Sequence, residues 1–465
     1  TNTVRKTTIN LATGAVTLDG DAPLTGIVPM NDNGELRAIV APQTVAAGKK
    51  LLTVTVGGGA PRNFVVDKAL EYQPGKITNF DLTVSKKADS GEYAIELTGV
   101  SVTAWEADNV SHGDDAREYV VVHNAVADRL ETTVNERLEM DATKIKNLKI
   151  TGVLGAADYT FMRDKMTSLQ RVNLKEVESL IDGVYKIPSS AFSGKTTLIK
   201  CFLPDKLERI ESGAFSGTAL TGTVMLPEGL KYVAGFSNTK ITNVHFPSTL
   251  EEIGDSAFSG CSSLMTSVSF PESLKKIGDS AFSQSAISGS LVFPDNLEYI
   301  GDSAFNNCTS LTGSLSIPSR IAEIERGSFY GSGFSGTLTL PNGLVKIGPI
   351  AFYDTNFKGE LHIPESVTTI GGSAFANTQF SGTVVLPPEL ISLDSGVFSG
   401  CWRLSGVVTI PSNIAAIPSN LFYGCTGLEG VVLHKDVEVI ESGAFQNCYG
   451  ITSLVCNAKN PPVIN

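Results

Sequence analysis

Seven cysteines, five histidines and a surplus of carboxylates are the residues of this chain that could do chemistry. Five of the cysteines (Cys261, Cys308, Cys401, Cys425 and Cys448) stand three residues after a phenylalanine. The same slot holds Thr218, Thr239, Ser285, Ser332, Thr355 and Thr378 elsewhere. A position shared by Cys, Ser and Thr asks for a small side chain that bonds nearby backbone, so the expected state is a buried thiol acting as a small hydrophobe. Cys201 and Cys456 read as inward strand positions. Disulfides between neighbouring repeats, for example among Cys401, Cys425 and Cys448, are the alternative. An odd total leaves at least one thiol free in a monomer. Metal binding fits less well, because no C-x-x-C pair exists.

The histidines (His112, His123, His245, His362 and His434) form no H-x-x-x-H pair. There is no nucleophile elbow and no phosphate-cradling lysine loop. Gly57-Gly58-Gly59 lies between apparent strands and reads as a hairpin turn. Carboxylates such as Glu251 and Glu252 read as solvated surface groups. These observations lead to the expectation of no enzyme activity, no cofactor and no metal. A net charge of −12 argues against nucleic acid as a partner, since phosphate binding needs a basic footprint. No stretch approaches the roughly 18 apolar residues of a membrane span. The first residues hold no signal-peptide core, so a membrane link is expected only through a lipid anchor upstream of this chain.

The slots belong to a repeat. Phe192, Phe215, Phe236, Phe258, Phe282, Phe305, Phe329, Phe352, Phe375, Phe398, Phe422 and Phe445 recur every 21 to 24 residues. Eleven residues before most of them stands a proline, as at Pro271, Pro294, Pro318, Pro341 and Pro364. One and three residues before the proline are apolar, as in Leu315/Ile317 and Leu338/Leu340, which is a short strand with one buried face. Proline ends the strand, having no N–H for the ladder. A Leu and an Ile follow (Leu297/Ile300, Leu344/Ile347), pointing inward before the buried Phe. One copy cannot enclose its own apolar side chains; stacked copies can.

The run Ile300-Gly301-Asp302-Ser303-Ala304-Phe305-Asn306-Asn307-Cys308-Thr309-Ser310-Leu311 resembles the leucine-rich repeats of bacterial surface proteins, the BspA-like class. The resemblance implies a mainly β fold, a leucine-rich-repeat solenoid of about 12 coils over residues 169–465. Residues 118–168 read as an α+β cap at its N-terminal end. Val120–Val122 is a strand, Val126, Leu130, Val134 and Leu138 form the stripe of an amphipathic helix, Leu148–Ile150 is a second strand, and a short helix lies near 156–166.

Over residues 1–107 the period falls to two. Leu52/Val54/Val56, Phe80/Leu82/Val84 and Tyr93/Ile95/Leu97 alternate with polar residues, indicating an antiparallel β-sandwich. The segments from Ala41-Pro42-Gln43-Thr44 to Val54, Pro74-Gly75-Lys76-Ile77 and Leu97-Thr98-Gly99-Val100 to Trp105 look like fimbrillin-like surface proteins of Gram-negative anaerobes. Residues 108–117, polar and acidic, read as a linker.

Both resemblances imply a secreted, outer-membrane-anchored, cell-surface binding or adhesion protein whose partner is a host or bacterial surface protein or glycan. The alternative is a glycan-capturing accessory protein of a nutrient-uptake system. Strand residues two and four before the proline face away from the core. Among them the candidate ligand residues are His245, Ser269, Ser316, Thr337, Thr339, Glu360, His362 and Thr383, a face dominated by hydroxyls.

Overall fold

The computed structural model describes residues 119–465 except 139, and of residues 1–118 the backbone of ten strands within 6–104. The chain divides into two compact units, Thr1–Tyr119 and Val120–Asn465. In the first, strands Ala15–Asp19, Lys6–Asn10, Lys50–Thr55 and Arg62–Val65 form one sheet in that order. A long antiparallel pair, Lys76–Lys86 with Tyr93–Ala104, carries a bulge between Leu97 and Gly99. Pairing is antiparallel with one departure from expectation: Lys6–Asn10 runs parallel to Lys50–Thr55, so the two are not a hairpin pair and must be joined by a longer crossover. Gly57–Gly59, Trp105, His112 and the expected linker fall outside the described residues.

The second unit is a stack of coils joined edge to edge by parallel pairing, about 14 turns in all. The cap strands Val120–Asn124 and Asn147–Val153 pair in parallel with Arg171–Asn173, which pairs with Lys200–Phe202. The cap is thus built of rungs of the same sheet, which adds turns to the twelve marked by phenylalanines.

Each coil has three sides. On the first, inward and outward residues alternate up to the proline, whose carbonyl accepts the N–H three residues on, as from Leu297 to Pro294 at 3.1 Å. On the second, two-residue strands ending in an aliphatic residue pair coil to coil, from Lys186/Ile187 through Arg209/Ile210 and Tyr232/Val233 to Tyr299/Ile300. The third carries the phenylalanine. There the residues two before and two after the ring often take positive φ, for example Ser303 (55°) and Asn307 (54°) around Phe305. This turns alternate N–H groups toward the next coil. Ser303, Phe305 and Asn307 donate to Arg326, Ser328 and Tyr330 at 2.7–2.8 Å, satisfying buried backbone that would otherwise be costly.

The twelve rings form one column. Successive centroids lie 5.1–6.1 Å apart with planes within 14°, an offset-stacked arrangement that adds to area burial. Tyr159, on helix Ala156–Asp164, closes the column by meeting Phe192 edge-on at 5.7 Å. Its hydroxyl donates to Ser179 Oγ at 2.9 Å. The buried carboxylate of Asp158 accepts the N–H groups of Asp128, Leu130 and Gly155 at 2.8–2.9 Å, fixing the chain before the helix. Lys195 Nζ donates to the carbonyls of Arg163 and Met166 at the helix end.

Two cap and strand expectations need correction. Of the four-residue stripe, Leu130 and Val134 are buried but Val126 and Leu138 are exposed. The helix begins only at Leu130, after Asp128 at φ 61°, and passes into a π-turn at Thr133–Arg137. A regular strand also does not form on the first side of every coil. Around 266–270 and 288–293 inward and outward residues still alternate, yet continuous pairing lapses. There Phe246, Phe270 and Phe293 fill the inward position and stack at 6.0 and 5.9 Å, wider than the roughly 4.8 Å of a hydrogen-bonded ladder.

Ile350 occupies the positive-φ position that serine or asparagine fills in other copies, at φ 51°. A β-branched residue is strained there by about 1–2 kcal/mol. Ile350→Asn should raise the stability of the solenoid by about 1 kcal/mol in denaturant unfolding. A loss of stability would show that the packing of Ile350 outweighs its backbone strain.

Candidate ligand-binding faces of the solenoid

The first side places the candidate residues as the alternation requires. His245, Ser269, Ser316, Thr337, Thr339, Glu360, His362 and Thr383 are all exposed, while Val244, Val268, Leu315, Leu338, Leu361 and Val384 between them are buried. Pairing sets the register: Leu315 and Ile317 donate to the carbonyls of Thr337 and Thr339 at 2.9 and 3.0 Å, and Ser316 lies beside Thr339.

The structure separates these residues into two columns with different duties. Those four before the proline lean over a glycine of the next coil. A Cβ at Gly336 would collide with Ser314 Oγ, and one at Gly406 with Thr383 Oγ1. Thr337 bonds backward as well, its N–H and hydroxyl both reaching Ser314 Oγ at 3.0 Å. The column two before the proline is open. Ser269, Ser316, Thr339 and Thr409 are exposed, and among the described residues their side chains make no hydrogen bond. His245 lies 3.4 Å from the half-buried Asn243, and His362 lies 3.6 Å from Glu360, both of these at the surface. Val292 and Val385 complete the column at 73% and 71% exposure.

The second side is charged but self-neutralised. Glu251 and Glu252, expected to be merely solvated, pair with Lys275 and Lys276 one coil on, at 2.8 and 2.9 Å. Glu298–Arg320 and Glu323–Lys346 repeat the pattern, and the Arg209 guanidinium sits 3.9 Å over the Tyr232 ring. The salt link lowers the Glu251 carboxyl and raises the Lys275 ammonium from their ordinary ranges. Partly exposed pairs of this kind contribute little each, about 0–1 kcal/mol. Asp255, Asp279 and Asp302 form a further ladder, each accepting the N–H of the equivalent residue one coil on at 2.9–3.0 Å. Their carboxylates serve the backbone.

The cysteine slot behaves as its composition suggests. Thr218, Thr239, Ser332, Thr355 and Thr378 donate to the carbonyl of the phenylalanine three residues earlier at 2.7–2.8 Å. The thiols of Cys261, Cys308, Cys401, Cys425 and Cys448 reach instead to the phenylalanine carbonyl of the preceding coil at 2.9–3.1 Å. All seven cysteines are free thiols. Cys456 is a correction: expected to point inward, it is exposed, on strand Ser453–Cys456, which among the described residues pairs with Gly430–Leu433 alone. Among the described residues no group of three or more His, Cys, Asp and Glu could hold a metal ion, and no helix is long and apolar enough to cross a membrane.

The residue after the cysteine slot escaped the sequence reading. It holds Trp402, 51% exposed, and Tyr449, 81% exposed. The Arg403 guanidinium lies 4.5 Å over the indole. The signal was present in the alignment of copies, where earlier coils carry Thr196, Ala219, Ser262 or Ala286 in that slot.

Burial holds the slot thiols in the protonated, unreactive form, with Cys308 pushed up to about 12 and Cys401 to about 11. Thiol titration of the native protein at pH 7 or 9 should therefore find Cys456 at once, Cys201 slowly, and the other five silent. Denaturation without reductant should release all seven. Fewer than about five after denaturation would mean that disulfides bridge the coils.

A family model for the BspA type leucine rich repeat region matches six copies over residues 142–235, 232–358 and 345–461. A fimbrillin-like model matches residues 1–105. Among solved structures, the chain is similar to a leucine-rich repeat protein of Bacteroides ovatus at 19% identity, covering 83% of this chain and 97% of that one with a TM-score of 0.43. It is similar to the pneumococcal vaccine antigen PcpA at 19% identity, covering 68% and 80% with a TM-score of 0.38. A leucine rich repeat protein of T. pallidum is 25% identical over 50% of this chain and 77% of its own, with a TM-score of 0.26. No curated protein matches the chain. With its repeats, from the cap to the last coil, matched by one family model, the chain belongs to the BspA-type leucine-rich-repeat family and carries a fimbrillin-like region ahead of them.

Proposed function

We propose that this protein is a non-catalytic, cell-surface binding or adhesion protein of a Gram-negative bacterium, which engages its ligand through the open strand column from His245 to Thr409. The observation that carries the reading is the open hydroxyl of Ser269, Ser316, Thr339 and Thr409, exposed and without an intramolecular partner among the described residues. Hydroxyls elsewhere in the array bond local backbone, as Thr218 and Thr355 do, whereas these four are left to solvent or a ligand. Leucine-rich-repeat proteins of this kind are generally non-enzymatic and bind proteins, and both matched families are typically surface-associated in bacteria. In this reading residues 1–107 are an anchor-proximal spacer, 108–117 a linker, 118–168 the cap and 169–465 the displayed array, held at the outer membrane by a lipid upstream.

The open column carries no formal charge outside its two histidines, so binding there should depend on hydrogen bonds and shape. The full chain screened against host matrix proteins and a glycan array should give a ligand whose affinity changes less than roughly threefold between low and physiological salt. Thr339→Ala with Ser316→Ala, and separately His362→Ala, should each weaken it by about 1–2 kcal/mol. An affinity that collapses with salt, or that ignores these substitutions, would move the site away from this column.

A further inference from the structure

The turn after the cysteine slot holds a column of its own: Asn356, Gln379, Trp402, Thr426 and Tyr449 in five consecutive coils. It is tied along the axis, Gln379 Nε2 donating to Asn356 Oδ1 at 2.9 Å and Thr426 Oγ1 to the Trp402 carbonyl at 3.4 Å. We propose that Trp402 and Tyr449 form a stacking platform for a neutral, linear, β-linked glycan running along the solenoid axis. This site uses none of the residues of the open strand column, so the two readings stand or fall separately.

Three features of the column point to a sugar. The fold does not need aromatic rings here, because earlier coils close the same turn with Thr196, Ala219, Ser262 or Ala286. Leaving a large ring half in water forgoes burial that the phenylalanine column shows the fold can otherwise secure. Trp402 is also held in place before any ligand arrives, since Arg403 lies over the indole at 4.5 Å, while half of the side chain stays exposed to a partner. Finally, the two rings lie two rungs apart, roughly 10 Å, about one disaccharide of an extended β-linked chain. Alternate pyranoses can then lay their C–H faces on Trp402 and Tyr449, with Thr426 beneath the sugar between them. Gln379 and Asn356 offer amides to hydroxyls further along. The five column residues carry no charge, which suits a neutral ligand.

The full chain, in a Trp105→Phe background that leaves Trp402 as its single indole, is titrated with hexasaccharides of β-1,4-glucan, β-1,4-xylan and β-1,4-mannan. Calorimetry and tryptophan fluorescence are read together. At least one hexasaccharide should bind and perturb the indole emission, with its disaccharide binding several-fold more weakly because it cannot span both rings. Trp402→Ala should weaken binding roughly 10-fold or more, and Tyr449→Ala by about 3- to 10-fold. Trp402→Phe, which keeps an aromatic face, should recover part of the loss. Ser316→Ala with Thr339→Ala should leave it unchanged. No binding of any of the three at millimolar concentration overturns the proposal, as does binding that Trp402→Ala leaves intact. Loss on Ser316→Ala with Thr339→Ala but not on Trp402→Ala overturns it too, and places the glycan on the open strand column.

Discussion

A phenylalanine in this solenoid is engaged with its neighbouring coils through ring and backbone at once. The ring of Phe305 stacks between Phe282 and Phe329 at 5.4 and 5.6 Å. Its N–H donates to Ser328 one coil on, while the carbonyl of Phe282 accepts the Cys308 thiol. Ring spacing and backbone spacing must therefore agree at every step. That condition explains the repeat length, the positive-φ residues flanking the ring and the small residue three places later. It also explains the cap, since a ring with no neighbour is a buried group left half exposed. Tyr159 supplies that neighbour for Phe192, whereas Phe445 at the other end is only partly buried.

Because inward residues of all three sides fill one core, the outward positions of the first two sides are released from packing. On the second side they are used for coil-to-coil ion pairs, which set opposite charges of neighbouring coils beside one another. On the first side one column is committed to covering the glycines of the next coil. The column beside it is left with hydroxyls that serve nothing internal. Stability in such arrays is a sum of coil and interface contributions, so variation in the free columns costs little. The Trp402 coil shows how far the surface can change while Phe398 and Cys401 keep their places.

The period, the inward residues and the exposed strand face were legible because identical constraints act on every coil and leave identical marks. Cys, Ser and Thr in one slot identified a small side chain that bonds nearby backbone, although which carbonyl it reaches could not be read from composition. What escaped were features set by neighbours rather than by position. Gly406 is glycine because Thr383 leans over it, and Glu251 is not free because Lys275 lies one coil on. The cap stripe misled for a similar reason. Four apolar residues at helical spacing suggested one helix, but Asp158 captures the Asp128 and Leu130 N–H groups and fixes the start of the helix about one turn later than the stripe implies. Cys456 sits in an inward slot on a strand that, among the described residues, has a partner on one side only.

The central claim is that the ring column, not the visible ion pairs, holds the coils together. Unfolding free energies and native-state hydrogen exchange of Phe305→Ala and Lys276→Ala in the full chain test it most directly. Phe305→Ala should cost about 3–5 kcal/mol and lower protection of the Phe282 and Phe329 amides most, fading with distance in both directions. Lys276→Ala should cost less than about 1 kcal/mol and leave those amides protected. Equal costs for the two variants, or unchanged protection around position 305, would contradict the account.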